Sequence, residues 1–331
     1  YQSAYLTTGM ELILKRTQKK TGKEIVRIGE LLPLEQFITL KTGQTLQLTK
    51  APIPGENAIF NNDGSIEKPA HISCTLPEIF NRVKAGESIY FNDGKIEGVI
   101  ESVETDQLNI KITYARDAGS KLKADKGINL PESDLEINGL TTKDKKDLAF
   151  VAQYADAVNF SFVNTEKDVE MLLDELRESK TKIGIIFKIE TQKGFKNLPR
   201  ILLKGMQTYP IGVMIARGDL AIETGWKNFA SIQEEILRIC EASHLPDVWA
   251  TQVLENLAKK GIPSRAEITD AAMANRAECV MLNKGFYITK AVKMLDKILR
   301  RMQRFQKKKD SLLPRLENAE QLQLSHRQYD V

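Results

Sequence analysis

Cysteine, histidine and long apolar runs are all scarce in this sequence. Its three cysteines, Cys74, Cys240 and Cys279, are odd in number and far apart. They lie in apolar patterns and fit reduced core thiols in a cytoplasm better than a disulfide framework or a zinc site. His71, His244 and His326 show no metal-ligand spacing. No stretch approaches the roughly twenty apolar residues of a membrane-spanning helix, so no membrane partner is expected. Excess charge of one sign is lacking too: 48 Lys+Arg against 44 Asp+Glu give a net charge of +4. Charge so weak and dispersed argues against a nucleic-acid partner. The basic cluster Arg300, Arg301, Arg304 and Lys307 to Lys309 closes a helical pattern, where cations favour the helix dipole. An anion or partner site is the other reading of it. No secretory signal is visible, and the first residue is Tyr1, as in a fragment.

What is present suffices for a large core. The chain has 331 residues, 42% apolar and 28% charged, and two domains are expected. From about Glu24 to Glu136 the apolar residues come in short β-branched runs: F-I-T-L, T-L-Q-L-T, H-I-S-C-T, S-I-Y-F and L-N-I-K-I-T-Y. Turn signals at Thr42-Gly43, Asn62-Asp63-Gly64 and Asn92-Asp93-Gly94 separate them, as in a small β-barrel or sandwich. From about Asp147 the rhythm changes. Strand-like runs at 157–163, 183–189, 211–216, 248–251 and 279–282 alternate with amphipathic helix patterns. Val169, Leu172, Leu173 and Leu176 share one helical face. So do Phe229, Ile232, Ile236, Ile239 and Cys240, and likewise Val292, Leu295, Leu299 and Met302. This alternation, with a period of about thirty residues, means βα units and a parallel sheet. Five units are visible where a closed barrel needs eight. Met10 to Lys20 reads as one helix ahead of them.

Two charged patches close buried-strand candidates. Lys188, Ile189 and Glu190 follow I-G-I-I-F, and Ala216, Arg217, Gly218 and Asp219 follow I-G-V-M-I. Charge at the end of a buried strand is costly unless it binds a metal or does chemistry. Lys188 and Glu190 point to the same side of a strand. With Asp219 on a neighbouring strand end, they could hold a divalent metal and an anionic substrate.

Further segments join these two in order and spacing. I-I-F-K-I-E-T-Q-K-G (185–194), V-M-I-A-R-G-D-L-A-I-E (213–223), W-A-T-Q-V-L-E (249–255), P-S-R-A-E-I-T-D (263–270) and C-V-M-L (279–282) resemble the second half of the pyruvate kinase barrel. Y-F-N-D-G-K-I (90–96) and K-G-I-N-L-P (126–131) resemble that family's inserted lid. T-K-D-K-K-D-L (142–148) and F-S-F-V (160–163) resemble its return into the barrel. The likeness runs from roughly Phe37 to Met302. It implies an α/β fold of the (β/α)8 type, with a small β-barrel lid inserted. A remnant of the N-terminal barrel part would occupy 1–23, the lid 24–138, barrel units with the active site 139–306 and a polar tail 307–331. Departures are clear. The family's early R-x-N-x-S-H and D-x-x-G-P-K/E patches have no counterpart, and Asn283-Lys284-Gly285 replaces a longer eighth loop. A C-terminal regulatory domain is also missing, so no sugar-bisphosphate activation is expected.

The resemblance implies a cytoplasmic homo-oligomer of glycolysis, converting phosphoenolpyruvate and ADP to pyruvate and ATP. Glu190 and Asp219 match the carboxylates that hold magnesium (or manganese); a structural ion pair with Lys188 or Arg217 is the alternative. Lys188 matches the lysine that steadies the moving phosphoryl group, and a lysine snorkelling from a barrel end is its plainer reading. Thr251 matches the threonine beside the enolate carbon, although threonine also simply favours strands. Ala216, Arg217 and Gly218 match the turn whose backbone N–H groups hold the substrate carboxylate, with Asp219 and Thr251 completing the substrate contacts. Arg217 reads equally as an interface or packing cation. Lys126 matches a lid lysine that reaches the nucleotide phosphates, or is merely solvated. Potassium is the family's monovalent cation, but the patch that would hold it is not found. Two other functions stay open: a magnesium-dependent 2-oxo acid lyase, which needs no lid, and a degenerate or truncated kinase barrel serving as a binding or structural module.

Overall fold

A computed structural model describes residues 8–15, 23–31, 36–133, 135, 139–179, 182–208 and 210–305. The strands β1 (Glu11–Lys15) and β2 (Lys23–Arg27) form a separate antiparallel hairpin, with Leu12 opposite Val26 and Ile13 opposite Ile25. The helix expected over Met10 to Lys20 is thus corrected at residues 11–15. A β-branched centre and an apolar cross-strand partner favour the pairing, whereas one isolated short helix is marginal in water. The hairpin straddles the boundary expected between residues 23 and 24.

Alternation of apolar and polar side chains builds the longer of the next ten strands. The ten are β3 (Phe37–Leu40), β4 (Thr45–Thr49), β5 (Ile59–Phe60), β6 (Ile66–Lys68), β7 (Ala70–Ser73), β8 (Ser88–Phe91), β9 (Ile96–Val103), β10 (Gln107–Tyr114), β11 (Ser120–Lys123) and β12 (Ile128–Asn129). Six of them form one sheet in the order β12-β8-β9-β10-β4-β7, and β11-β3 and β5-β6 pair separately. Their inward residues, among them Leu46, Leu48, Ile89, Phe91, Ile100 and Ile110, make one core. Asn92, Asp93 and Gly94 all take positive φ in the turn from β8 to β9, as residues tolerant of that conformation can. Strand β9 was not anticipated; Gly98 interrupts its run of side chains.

The rest of the chain alternates helix and strand. It runs α1 (Thr142–Tyr154), β13 (Ala157–Phe160), α2 (Glu166–Glu178), β14 (Gly184–Ile189), α3 (Gln192–Lys196), α4 (Leu198–Gly205) and β15 (Ile211–Ala216). Then come α5 (Arg217–Thr224), α6 (Trp226–Ala242), β16 (Asp247–Val253), α7 (Glu255–Lys260), α8 (Arg265–Met273), β17 (Cys279–Leu282) and α9 (Ile288–Met302). The five strands lie parallel in chain order, in the strand–helix alternation of an α/β barrel. Every residue of β15 is buried, as in a sheet covered on both faces. Capping boxes start α1 (Thr141 with Asp144), α2 (Thr165 with Asp168) and α8 (Ser264 with Glu267). Helix α2 buries the expected Val169, Leu172, Leu173 and Leu176.

Two expectations fail in this half. Helix α9 buries Leu295 and packs Leu299 against the core as expected, but Ala291 takes the inner place expected of Val292, which is 52% exposed. Cys279 is exposed, because β17 is an edge strand; Cys240 is buried as expected. Lys307 to Lys309, His326 and the expected tail over 307–331 lie outside the described residues. Among the described residues no helix is long and apolar enough to cross a membrane.

The two halves meet where β12 packs on α5. A Cβ on Gly94 would lie 2.5 Å from Ile222 Cδ1, and the φ of Gly94 is +71°, so close approach and backbone conformation both call for glycine there.

Candidate functional site

Parallel strands place their C-terminal ends along one edge, and that edge collects the charged patches. Lys188 stands near the end of β14 and Glu190 just beyond it. Glu190 is 3% exposed. Its Oε1 pairs with Lys188 Nζ at 2.8 Å, and its Oε2 accepts the backbone N–H of Phe162. Lys188 Nζ also donates to Ser161 Oγ at 2.9 Å. Phe162 has φ 52°, in the left-handed region, and its N–H is the one that meets the carboxylate. Burial pushes the Glu190 carboxyl above its ordinary value; the Lys188 contact opposes this and the charge of Asp219 adds to it. The ion pair between Lys188 and Glu190 therefore exists, and it sits at the same strand end as the expected metal and phosphoryl groups.

Asp219 belongs to the first turn of α5. Asn129, from β12, donates its Nδ2 to Asp219 Oδ1 at 3.3 Å and to Glu223 Oε1 at 3.5 Å. Burial pushes Glu223 up to about 7, with the Asn129 bond opposing and Asp219 adding. Asp219 thus lies near enough to Glu190 and to Glu223 for its charge to raise both carboxyls. No group of three or more His, Cys, Asp or Glu residues with metal-ligating geometry occurs among the described residues. Magnesium does not require one. It takes one or two carboxylates and completes six ligands with waters and substrate oxygens. The pair of buried Glu190 and partly buried Asp219 fits that ion, because a divalent cation would offset the repulsion between the two carboxylates.

Thr251 ends the regular part of β16. Its Oγ1 is buried and has no hydrogen-bond partner among the described residues. Across from it is Gly218: a Cβ built there would meet only Thr251, 3.8 Å from Oγ1. No protein neighbour demands a glycine at 218, so the free volume belongs to the site. Gly218 and Thr251 line a cavity of about 250 Å³ to which Asp93, from the β-rich half, also contributes. Ala216 is buried at the end of β15. The Arg217 side chain turns away to Asp270 and to the carbonyls of Ala250 and Thr251, which leaves its backbone to the turn. Lys126 is exposed, on the segment leading into β12, three residues before Asn129.

The edge thus brings together Lys188, Glu190, Ala216, Arg217, Gly218, Asp219 and Thr251, and leaves Lys126 apart from them on the facing half. Sequence reasoning missed Asn129, Ser161, Phe162, Glu223 and Asp270. All five lie in segments with recognised motifs, K-G-I-N-L-P, F-S-F-V, L-A-I-E and A-E-I-T-D, yet their roles depend on which elements meet in space. Phe162 acts through a backbone N–H, which leaves no side-chain signal at all.

Comparison with known proteins bears on the family of the chain. The family model described as the pyruvate kinase barrel domain matches residues 17–292. The pyruvate kinase of Kluyveromyces lactis is 35% identical over 268 residues, covering 77% of this chain and 52% of that protein. That of Thermotoga maritima is 30% identical over 271 residues, covering 80% and 54%. A solved pyruvate kinase from Cryptosporidium parvum superposes with a TM-score of 0.69 at 26% identity, over 82% of this chain and 54% of that one. The chain spans about half the length of the curated relatives it matches. On the match to the family model and the identity to these relatives, the chain belongs to the pyruvate kinase family.

Proposed function

We propose that this chain carries the phosphoryl-transfer and enolate half of a pyruvate kinase-like site, acting on phosphoenolpyruvate and ADP to give pyruvate and ATP in glycolysis. The observation that carries this reading is the orphaned Thr251 hydroxyl facing Gly218, two residues that line one cavity at the strand edge where the Lys188–Glu190 pair also ends its strand. The turn Ala216-Arg217-Gly218 opens α5, so its backbone N–H groups suit the substrate carboxylate. Lys188 Nζ, already fixed by Glu190 and Ser161, would hold an oxygen of the moving phosphoryl group without further reorganisation. Glu190 and Asp219 would hold the magnesium ion (or manganese), which when bound neutralises charge on the phosphoryl oxygens. The Thr251 hydroxyl would pass a solvent proton to the enolate carbon, completing pyruvate. Residues 36–133 would act as a lid of small β-barrel form. Asn129 and Asp93 reach the site from it, and Lys126 would meet the nucleotide phosphates as it closes. We place the protein in the cytoplasm as a homo-oligomer.

A binding-module reading is favoured by one observation: among the described residues the parallel sheet has five strands, two of them at open edges. A coupled assay for pyruvate, with phosphoenolpyruvate, ADP and magnesium, decides between the two. Turnover that falls at least a thousandfold in Lys188→Met supports the enzyme. Binding of phosphoenolpyruvate without turnover under any nucleotide supports the module.

A further inference from the structure

We infer that Asp270, acting through Arg217, is a positioning residue that holds the Thr251 hydroxyl over the substrate turn. The inference rests on the reading of Thr251 given above.

Strand β16 breaks its pairing where Thr251 stands. It pairs with β17 at Val248–Cys279 and Trp249–Val280, and next at Val253–Leu282, with a register shift between. Inside that break Thr251 and Gln252 have φ 69° and 59°, and Leu254 has φ 48° just after it. Left-handed backbone is disfavoured for a β-branched residue such as threonine. It persists only where the surroundings over-determine it.

Arg217 supplies that constraint. Its Nε donates to Ala250 O at 2.8 Å, and its Nη2 donates to Thr251 O. The guanidinium is itself held from the far side. Nη1 and Nη2 donate to the two carboxylate oxygens of Asp270, the second at 2.9 Å. Asp270 Oδ1 also accepts Trp249 Nε1–H at 3.2 Å, and the Trp249 ring lies 4.5 Å from Arg217 Cζ. A planar fork bound to a carboxylate at two points is fixed in angle as well as in distance. The side chains of Arg217 and Asp270 are 10% and 24% exposed, so water competes little for these bonds. One carboxylate on α8 therefore ties the start of α5 to the end of β16. Those are the two elements that carry Gly218 and Thr251, and the Thr251 hydroxyl is left free of other partners.

The full chain, with magnesium, provides the test. Exchange of the pyruvate methyl protons with deuterium oxide is followed by proton NMR. In each cycle a methyl C–H bond breaks, its electron pair forms the enolate, the proton leaves through the Thr251 hydroxyl to water, and a deuteron returns. In parallel, the Thr251 γ2 methyl is observed in protein labelled with 13C-methyl threonine and assigned with Thr251→Ser. Asp270→Asn and Arg217→Lys are expected to shift or split that methyl signal. They should also slow exchange at least tenfold, with pyruvate KM and manganese affinity within threefold. Trp249→Phe removes one hydrogen bond; it should move both readouts less, in the same direction, and it serves if Asp270→Asn does not fold. An unmoved Thr251 methyl in these variants overturns the positioning role, as does unchanged exchange when the parent chain is active. A moved methyl in a parent chain without exchange upholds the positioning and counts instead against the proposed enzyme activity of this chain.

Discussion

Glu223→Gln should remove a pH dependence of stability that the unaltered chain carries. The Glu223 carboxyl is pushed from 4.5 up to about 7 in the folded chain, mainly by burial. Between these values the folded state holds a proton that the unfolded chain releases. Stability therefore falls as pH rises through this window, the reverse of the usual carboxylate behaviour. The shift of about 2.5 units corresponds to roughly 3.4 kcal/mol at full extent. Between pH 5 and pH 8 about 2.5 kcal/mol of it is expressed, because both titrations are incomplete at those limits. Glutamine keeps the amide-to-oxygen contact with Asn129 but cannot ionise. Urea unfolding at intervals from pH 5 to pH 8, in chelator, is the assay. Trp249, 3% exposed beneath the site, gives a local fluorescence signal. The parent chain should lose about 2 to 3 kcal/mol more than Glu223→Gln over this range. Parallel profiles for the two proteins would refute the assignment of burial as the dominant cause.

Three further outcomes are expected. Magnesium at a hundredfold excess over its dissociation constant should stabilise the parent chain by about 2.7 kcal/mol, and Glu190→Gln or Asp219→Asn should abolish the effect; equal thermal shifts in parent and variants would sink the metal assignment. Gly94→Ala should destabilise by about 1–2 kcal/mol from its positive φ alone, with an added cost that disappears in the Ile222→Ala background; strict additivity in that cycle would contradict the contact between the halves. Phe187→Ala should cost about 3–5 kcal/mol, since Phe187 is fully buried and fills the space beside Gly205, and a loss under 1 kcal/mol in urea unfolding would argue against that packing.

Much of the βα half was legible, because its signals are local. The run I-G-V-M-I-A has a single period and becomes β15 residue for residue, and the α2 stripe follows from 3.6-residue spacing. Lys188 and Glu190 were readable because charge at the end of an apolar run is costly, whatever the fold around it. The failures have a common cause in pairing partners that lie far along the chain or off its side chains. L-I-L over 12–14 has no decisive period, and its pairing with K-E-I-V-R decided the outcome. The spacing of α9 placed Leu295 and Leu299 inward but leaves the turn before them open between Ala291 and Val292, and packing on α7 and α8 selects Ala291. Asn129 gains its meaning only from α5, ninety residues away in sequence from its partner Asp219. Arg217 was ambiguous between substrate and packing because the sequence cannot reveal where a long side chain ends.

The strand orders of the two sheets carry a consequence for how fast each half assembles. From β13 to β17 every strand pairs with the next one in the chain, so the sheet can grow by adding one helix–strand unit at a time. In the order β12-β8-β9-β10-β4-β7, by contrast, β4 must find β10, joining Thr49 to Gln107 across five intervening strands in the sequence. Closing so long a loop costs entropy before any contact repays it, and pairings distant in sequence fold more slowly than local ones. Within the β-rich half, the closure of β4 on β10 is therefore expected to be the slow step, and β12, which carries Asn129, belongs to the sheet that waits on it.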